Sequence, residues 1–385
     1  MSRKPIIFES DRRMARRQQR LNRLLRISVL LVVAAGITLV SLYFYSLLSR
    51  EEQAARNRLR TFAELRASAA QRYLRAHQQE TALWASQANM RRLMRHFVEQ
   101  WQRMTPPERR QVRLMLSPGG NGGTSGQREE GLNTPRTDSV NAFLALQRQT
   151  LGSMQAFLEH HGYANIHFLT PRGDLIFSVH RRADFGHNLA INGSIYAGRA
   201  LGRAFQRALR LISPGIVVFE DFSPYPGPQD PPRAFFAAPV MEPEGKKIGV
   251  MAIELDIGPI SRILSADNVP GYNAVIYAVG PDRLLRNNLP GAPEPTALRR
   301  KMDTPAVRKA LDGKQVITTW KNRGEKRIAV ALPMDFDTVR WAVVTEMSLD
   351  EMRAPYRPYA VLWGLSVLLI LLLGVLQYWL FRRGT

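Results

Sequence analysis

The sequence predicts an α+β protein in which two stacked antiparallel-sheet modules follow a long N-terminal helix and are bracketed by two apolar helices. Three observations lead there. Two uncharged apolar runs, Ile27 to Leu48 and Tyr359 to Phe381, stand near the ends of the 385-residue chain. Arg50 to Arg103 has neither proline nor glycine and carries apolar residues at helical spacing, among them Leu59, Phe62, Leu65, Ala69 and Tyr73. Between Asn165 and Met347 the order hairpin, helix, three strands occurs twice, which two modules of the same type explain.

Each apolar run matches the ~20 residues a helix needs to cross the hydrocarbon of a bilayer. Aromatic residues at Tyr43 to Tyr45 and at Tyr378, Trp379 and Phe381 suit the interfacial belts. The first run is longer than the core of a cleaved export signal and has no small-x-small site directly after it, so it is expected to remain as an anchor. Nine basic residues, Arg3 to Arg26, precede it against Glu9 and Asp11, and Arg382 and Arg383 follow the second run. By the positive-inside rule both termini are expected in the cytoplasm and the intervening body in the periplasm of a bacterial inner membrane. Of the formal net charge of +22, about +13 lies in the body between the two runs, which fits anionic lipid or acidic ligands, and an exported body argues against nucleic acid as partner. Cysteine is absent, which excludes disulfides and thiolate metal sites.

The expected organisation is a basic tail (1–26), a first membrane helix (27–48), a stalk helix (49–116) and a flexible Gly-rich loop (117–135). A distal module (136–265), a membrane-proximal module (266–350), a second membrane helix (359–381) and a short cytoplasmic end (382–385) follow. Within the modules, Val140 to His160 reads as a helix. Asn165 to Leu169 and Leu175 to His180 read as strands around the turn "TPRGD". Ser194 to Leu211 reads as a covering helix, and Ile216 to Asp221, Arg233 to Met241 and Lys247 to Leu255 as strands. A short helix at Ile257 to Ser265 leads into the second module. There Ala274 to Val279 and Arg283 to Arg286 form a hairpin, Pro305 to Asp312 a helix, and Gln315 to Trp320, Glu325 to Leu332 and Arg340 to Met347 three strands.

Chemical motifs are sparse. "GGNGG" lacks the Gly-Lys-Ser/Thr of a phosphate loop, and Asp-Phe-Gly at 184–186 is unaccompanied by other kinase sequences. His180, Asp184 and His187 in "SVHRRADFGHNL" are metal-capable, but Arg181 and Arg182 oppose a cation. A turn that uses Asp184 and Asn188 as caps, Phe185 as core and Gly186 at positive φ accounts for the same residues. No catalytic residue, metal site or cofactor is assigned, and no enzymatic activity is expected.

The run "GYANIHFLTPRGDLIFSV", then "ADFGHNL", "VVFEDFSPY", "AFFAAPV", "KIGVMAIELDIGPISRIL", "YAVGPDRLLRNN", "MDTPAVRKALDG" and "RWAVVTEM" resembles the double Cache sensor of bacterial chemoreceptors, sensor kinases and membrane cyclases. That resemblance covers about residues 50 to 350. It implies two stacked PAS-like modules, a small-molecule ligand in the distal one, and signalling through membrane helices. The stretch "PGIVVFEDFSPYPGPQ" lacks the Tyr-x-Arg-x-Trp-Tyr motif of the amino-acid-sensing branch. The sequence also runs to "FRRGT" without a signalling hairpin, kinase or cyclase, so the expectation is either a separate cytoplasmic or membrane partner that carries the output or a truncated sensor; a homodimer is expected. The alternative is a structural or scaffold component of an envelope or organelle assembly. A ligand pocket over the distal sheet is expected to use Phe177 of the second strand, Tyr196 and Arg199 of the covering helix, Phe219 and Asp221 of the third strand, Tyr225 of the following loop, and Phe235 of the fourth strand.

Overall fold

A computed structural model describes residues 7–117, 135–191, 194–265, 273–322 and 324–383. The loop expected over 117–135 falls, its two end residues apart, outside the described residues. The chain divides into two compact units: Met1–Arg58 with Arg323–Lys326 and Met347–Thr385, and Leu59–Asn322 with Arg327–Glu346.

The first unit holds an antiparallel pair of apolar helices. Helix α1 runs unbroken from Ile7 to Ser86. It therefore begins inside the basic tail, because after Pro5 no helix breaker occurs before Gly36 and the tail is rich in Arg, Gln and Leu. Its partner is the last helix, Arg357–Arg383. The two pack closely through glycines: a Cβ on Gly36 would touch Ile370 at 3.7 Å, and one on Gly374 would meet Val33 at 2.6 Å. Arg26 lies over the Tyr378 ring (5.6 Å), Trp363 donates to Ser41 (3.2 Å), and Tyr356 bonds Glu51 (3.5 Å). Both helices are long and apolar enough to cross a membrane, and their apolar windows are almost wholly exposed.

In the second unit the expected stalk is broken twice. After α1, an extended Gln87 precedes α2 (Ala88–Arg103), and Met104 and Thr105 separate it from α3 (Pro106–Leu116). The second break has a plain cause: a residue before proline avoids helical φ/ψ, while proline suits the first helical position. The Thr105 N–H donates to Glu108 (2.6 Å), and Glu108 also accepts from Thr137, the cap of α4 (Asp138–His161). One carboxylate thus ties two helix starts together.

The first sheet contains β1 (Asn165–Leu169), β2 (Leu175–Ser178), β3 (Val218–Pro224), β4 (Pro232–Met241) and β5 (Lys247–Asp256) in the order β2-β1-β5-β4-β3. Its strands pair antiparallel. Both faces are covered, so its strands read as nearly continuous apolar runs. Ile166, Phe168, Ile253 and Phe236 turn to one core shared with Phe97, Trp101 and Phe143 of α2 and α4. Leu169, Phe235, Ala237 and Ala252 turn to a second core beneath α5 (Ala200–Arg210). The covering helix starts six residues later than the expected Ser194. Residues 194–199 form turns instead, with Arg199 as an extended N-cap. Gly202 permits this, since a Cβ there would collide with the Tyr196 and Ala197 carbonyls.

The second sheet follows α6 (Ile257–Ser265). It comprises β6 (Val275–Val279), β7 (Val316–Asn322), β8 (Glu325–Phe336) and β9 (Val339–Ser348) in the order β6-β9-β8-β7, with α7 (Pro305–Leu311) over its own core of Tyr277, Val279, Val307 and Ala331. It has four strands, not the expected five. Arg283 takes φ 65°, and Leu284 and Leu285 make only isolated bridges. Side-chain demands explain the difference: Asn287 accepts from the Ala278 N–H (2.9 Å), and Arg286 turns away to the first sheet.

That turn forms the junction between the sheets. Arg286, 3 % exposed, donates from Nε and Nη2 to Asp221 (3.0 and 2.9 Å). Trp341 Nε1 donates to the same oxygen (3.2 Å). Gly280 must lack a side chain because the Arg286 guanidinium occupies the place of its Cβ. Phe219 and Phe236 pack on Phe336 at 5.2 and 6.0 Å, and Asp337 accepts from the Phe219 N–H (2.9 Å) and Arg207 (3.1 Å).

Removing Asp221 takes an ionised acceptor from both Arg286 and Trp341 and leaves Arg286 only the exposed Asp282 (2.9 Å), so Asp221→Ala is expected to lower stability by about 2 kcal/mol. Denaturant unfolding of the detergent-solubilised protein measures this. A loss below about 0.5 kcal/mol, the range of ordinary surface changes, would show that Asp221 does not hold the junction.

Candidate functional site

Beneath α5 the first sheet buries charge. Successive residues of a strand face opposite sides, so His167 on β1, Glu254 on β5 and Phe235 on β4 share the α5 face with Leu169 and Ala252. Register brings them together: Glu254 pairs with Asn165 and with Phe235, which places His167 on the diagonal. His167 Nε2 lies 3.0 Å from Glu254 Oε2. Arg182 makes a bidentate pair with the two Glu254 oxygens, 2.8 Å each. Arg233 Nε stands 2.9 Å from Oε1, and its Nη1 reaches Asp256 at 2.5 Å.

Glu254 and His167 have essentially no solvent exposure. Burial alone would raise the Glu254 carboxyl, but the hydrogen bonds and charges of His167 and Arg182 outweigh it and hold it at about 2. Such a group is ionised at every physiological pH and is neutralised wholly by protein.

The segment after β2 supplies Arg182 and Asp184 from one tight turn. The Phe185 N–H bonds the Arg182 carbonyl (3.1 Å), the His187 N–H bonds that of Asp184 (3.1 Å), and Gly186 at φ 73° donates to Leu175 (2.9 Å). The fully buried Tyr225 donates its hydroxyl to Asp184. Burial raises the Asp184 carboxyl above the usual range against the opposing pull of His167, Tyr225 and Arg182, and it raises the Tyr225 phenol as well. Tyr196 donates to the Ala183 carbonyl (3.0 Å), and its ring lies 5.1 Å from His187. Burial, with Arg113 nearby, pushes His187 down to about 4.

Two buried nitrogens of this cluster make no hydrogen bond among the described residues: Arg233 Nε, which still ion-pairs with Glu254, and a nitrogen of His167 with no ionic partner. His167 Nδ1 is buried and has no hydrogen-bond partner among the described residues, and the His167 ring stands 5.8 Å from that of Phe235. A buried polar nitrogen without a partner carries a free-energy penalty that a ligand can remove.

The pocket residues named from sequence divide by face. Tyr196, Tyr225 and Phe235 come together under α5, where Tyr225 and Phe235 meet edge to face at 4.9 Å. Arg199, half-buried, sits at the helix N-cap above them. Phe177 and Phe219 are on the opposite face: Phe177 stacks on Phe168 and packs on Phe97, both at 5.0 Å, and Phe219 packs on Phe236 at 5.0 Å. Asp221 is engaged at the junction with Arg286 and Trp341. The metal-capable trio also disperses, with His180 exposed, Asp184 on Tyr225 and His187 against Tyr196.

Sequence reasoning passed over His167, Arg182, Arg233 and Glu254. A signal was present, since "IHFL" and "MAIELD" each place an ionisable residue directly between apolar neighbours, Ile166 and Phe168 for His167, Ile253 and Leu255 for Glu254. In a run buried on both faces such a residue needs a partner inside the protein.

No family model and no curated protein matches the chain. Among solved structures it is similar to the ligand-binding domain of the Pseudomonas aeruginosa PAO1 amino acid chemoreceptor PctB in complex with L-Gln (13% identity, TM-score 0.42, 79% of this chain and 98% of that one). It is similar also to that of the Pseudomonas fluorescens chemoreceptor CtaA in complex with L-serine (11%, 0.42, 78% and 99%). A third is that of the Campylobacter jejuni chemoreceptor Tlp3 in complex with L-norvaline (12%, 0.44, 79% and 94%).

The depressed Glu254 acidity sets a pH dependence. Its folded value lies below the ordinary 4.5 of a glutamate, so its contribution to stability is full above pH ~4.5 and is lost as pH falls toward ~2. Glu254→Gln leaves Arg182 and Arg233 without their shared anion and is expected to cost about 3–5 kcal/mol at pH 7. The deficit relative to the parent should shrink at pH 3, as denaturant unfolding at the two pH values will show. An unchanged deficit would mean that Glu254 is not the ionised hub.

Proposed function

We propose that the chain is a membrane-anchored sensor that binds a small polar or anionic molecule between its first sheet and α5, and signals as a homodimer through a separate partner. The observation that carries this reading is the cluster of His167, Arg182, Asp184, Tyr225 and Glu254, buried with one imidazole nitrogen left unused. Ionisable groups perturbed by both burial and specific partners concentrate at functional sites. A purely structural core of this volume is served as well or better by apolar residues.

Tyr196, Tyr225 and Phe235 form the walls of the proposed site, His167 Nδ1 is its free polar contact, and Arg199 stands at its rim. Aromatic walls with few convergent polar groups are the usual composition of small-molecule sites. The quoted motifs that resemble double Cache sensors support the same assignment.

The antiparallel packing of the two apolar helices supports a hairpin of two spans with both ends on one side, and the arginines of residues 3–26 support the cytoplasm for that side. The body then lies in the periplasm. Because α1 is unbroken to Ser86, a small displacement of its C-terminal part reaches the apolar part without a joint, which suits transmission by helix shift.

A thermal-shift screen of the full-length protein in detergent against small metabolites tests the assignment. A ligand at one hundred times its Kd stabilises by about 2.7 kcal/mol. His167→Gln and Tyr225→Phe are expected to abolish the shift, while Phe177→Leu on the opposite face retains it. A shift that survives both of the first two changes would place the ligand elsewhere.

A further inference from the structure

Where the two apolar helices emerge, the first unit contains a cleft of about 420 Å³. Tyr45, Leu48 and Glu52 of α1 line one side. Arg353 and Arg357, at the end of the short helix Leu349–Arg353 and the start of the last helix, line the other with Ala360. Contacts between the helices bound it on two sides. Phe44 meets Trp363 at 6.3 Å toward the apolar segment, and Tyr356 reaches Glu51 at 3.5 Å away from it.

The charges in this cleft do not balance. Glu52 is taken by Arg56 (2.8 Å, one turn on). Neither Arg353 nor Arg357 has an ion pair among the described residues, and both are exposed. Two guanidinium groups four residues apart repel each other unless an anion lies between them. Beside these charges the lining is apolar, with Leu48 and the Tyr45 ring on α1 and Ala360 on the last helix.

Position selects the occupant. Residues 45–52 and 352–360 straddle the last apolar turn and the first polar turn of each helix, the depth at which phosphate head groups lie and tyrosine is enriched. A guanidinium pair suits a phosphate geometrically, and an apolar wall beside it suits the start of an acyl chain. We propose that this cleft binds one anionic phospholipid, with its phosphate on Arg353 and Arg357 and its upper chain against Leu48 and Ala360. The proposal rests on the reading of the two helices as membrane spans.

Full-length protein purified in detergent and titrated with phosphatidylglycerol or phosphatidylcholine, with bound lipid counted by native mass spectrometry, tests it. One phosphatidylglycerol per chain is expected to persist where phosphatidylcholine is lost. Each arginine is worth about fivefold in affinity, so the R353Q/R357Q double variant is expected to weaken retention about 25-fold. R50Q, which removes a charge at the same depth outside the cleft, is expected to leave retention unchanged. Equal retention of the two lipids, or an equal effect of R50Q and the double variant, would overturn the site. Displacement of the lipid by millimolar glycerol phosphate would assign the cleft to a soluble phosphate instead and overturn the lipid assignment. Alkaline carbonate extraction separates the premises: release of the chain from membranes would refute the spans themselves, whereas a retained chain without lipid preference refutes the cleft alone.

Discussion

Glu254 is the group on which the arrangement of the first sheet turns. It lies in the middle of a five-stranded sheet covered on both faces, without solvent, and remains ionised because His167 and two arginines surround it. Its partners come from β1, from β4 and from the turn after β2. One carboxylate therefore fixes the placement of three separate segments, and it positions Arg182 so that the same turn can present Asp184 to Tyr225. Burying so many charges is costly unless each is paired, and this pairing defines the polar end of the pocket proposed beneath α5.

A second buried pair does comparable work at the junction. Asp221 and Arg286 join the two sheets, and both are displaced from the roles their local sequence implies. The third strand continues past Asp221 to Pro224, while the expected hairpin strand at Arg283 to Arg286 reduces to bridges because Arg286 is drawn across. A long-range charge contact overrode local β preference, which is the weaker influence wherever a buried charge needs a partner.

Much of the architecture was legible in the order of residues. β1 and α6 occur at the residues expected, and most other strands differ by one to three residues at an end. The departures have identifiable causes. Proline at 106 and 107 divides the stalk, the close packing at Gly202 delays α5, and Asn287 and Arg286 dissolve a strand. The candidate site was legible in part: Tyr196, Tyr225 and Phe235 were found through residue type and element, whereas the ionic cluster that distinguishes their face was overlooked.

By itself, the sequence determined the two apolar helices, the class of fold, the antiparallel modules and the positions of the principal turns. These follow from local patterns: uninterrupted apolarity, period-two and helical spacing, and glycine or proline where a turn requires them. Only the tertiary structure decided which face of the first sheet each aromatic residue occupies. In a sheet exposed on one side, alternation of polar and apolar residues marks the inner face; in a sheet buried on both sides that mark is absent. Phe177 and Phe235 look alike in sequence, yet pairing with Phe168 sends one toward α2 and α4, and pairing with Glu254 sets the other beside His167. Likewise Asp221 became a junction residue through an arginine 65 positions away, a relation that no local pattern encodes.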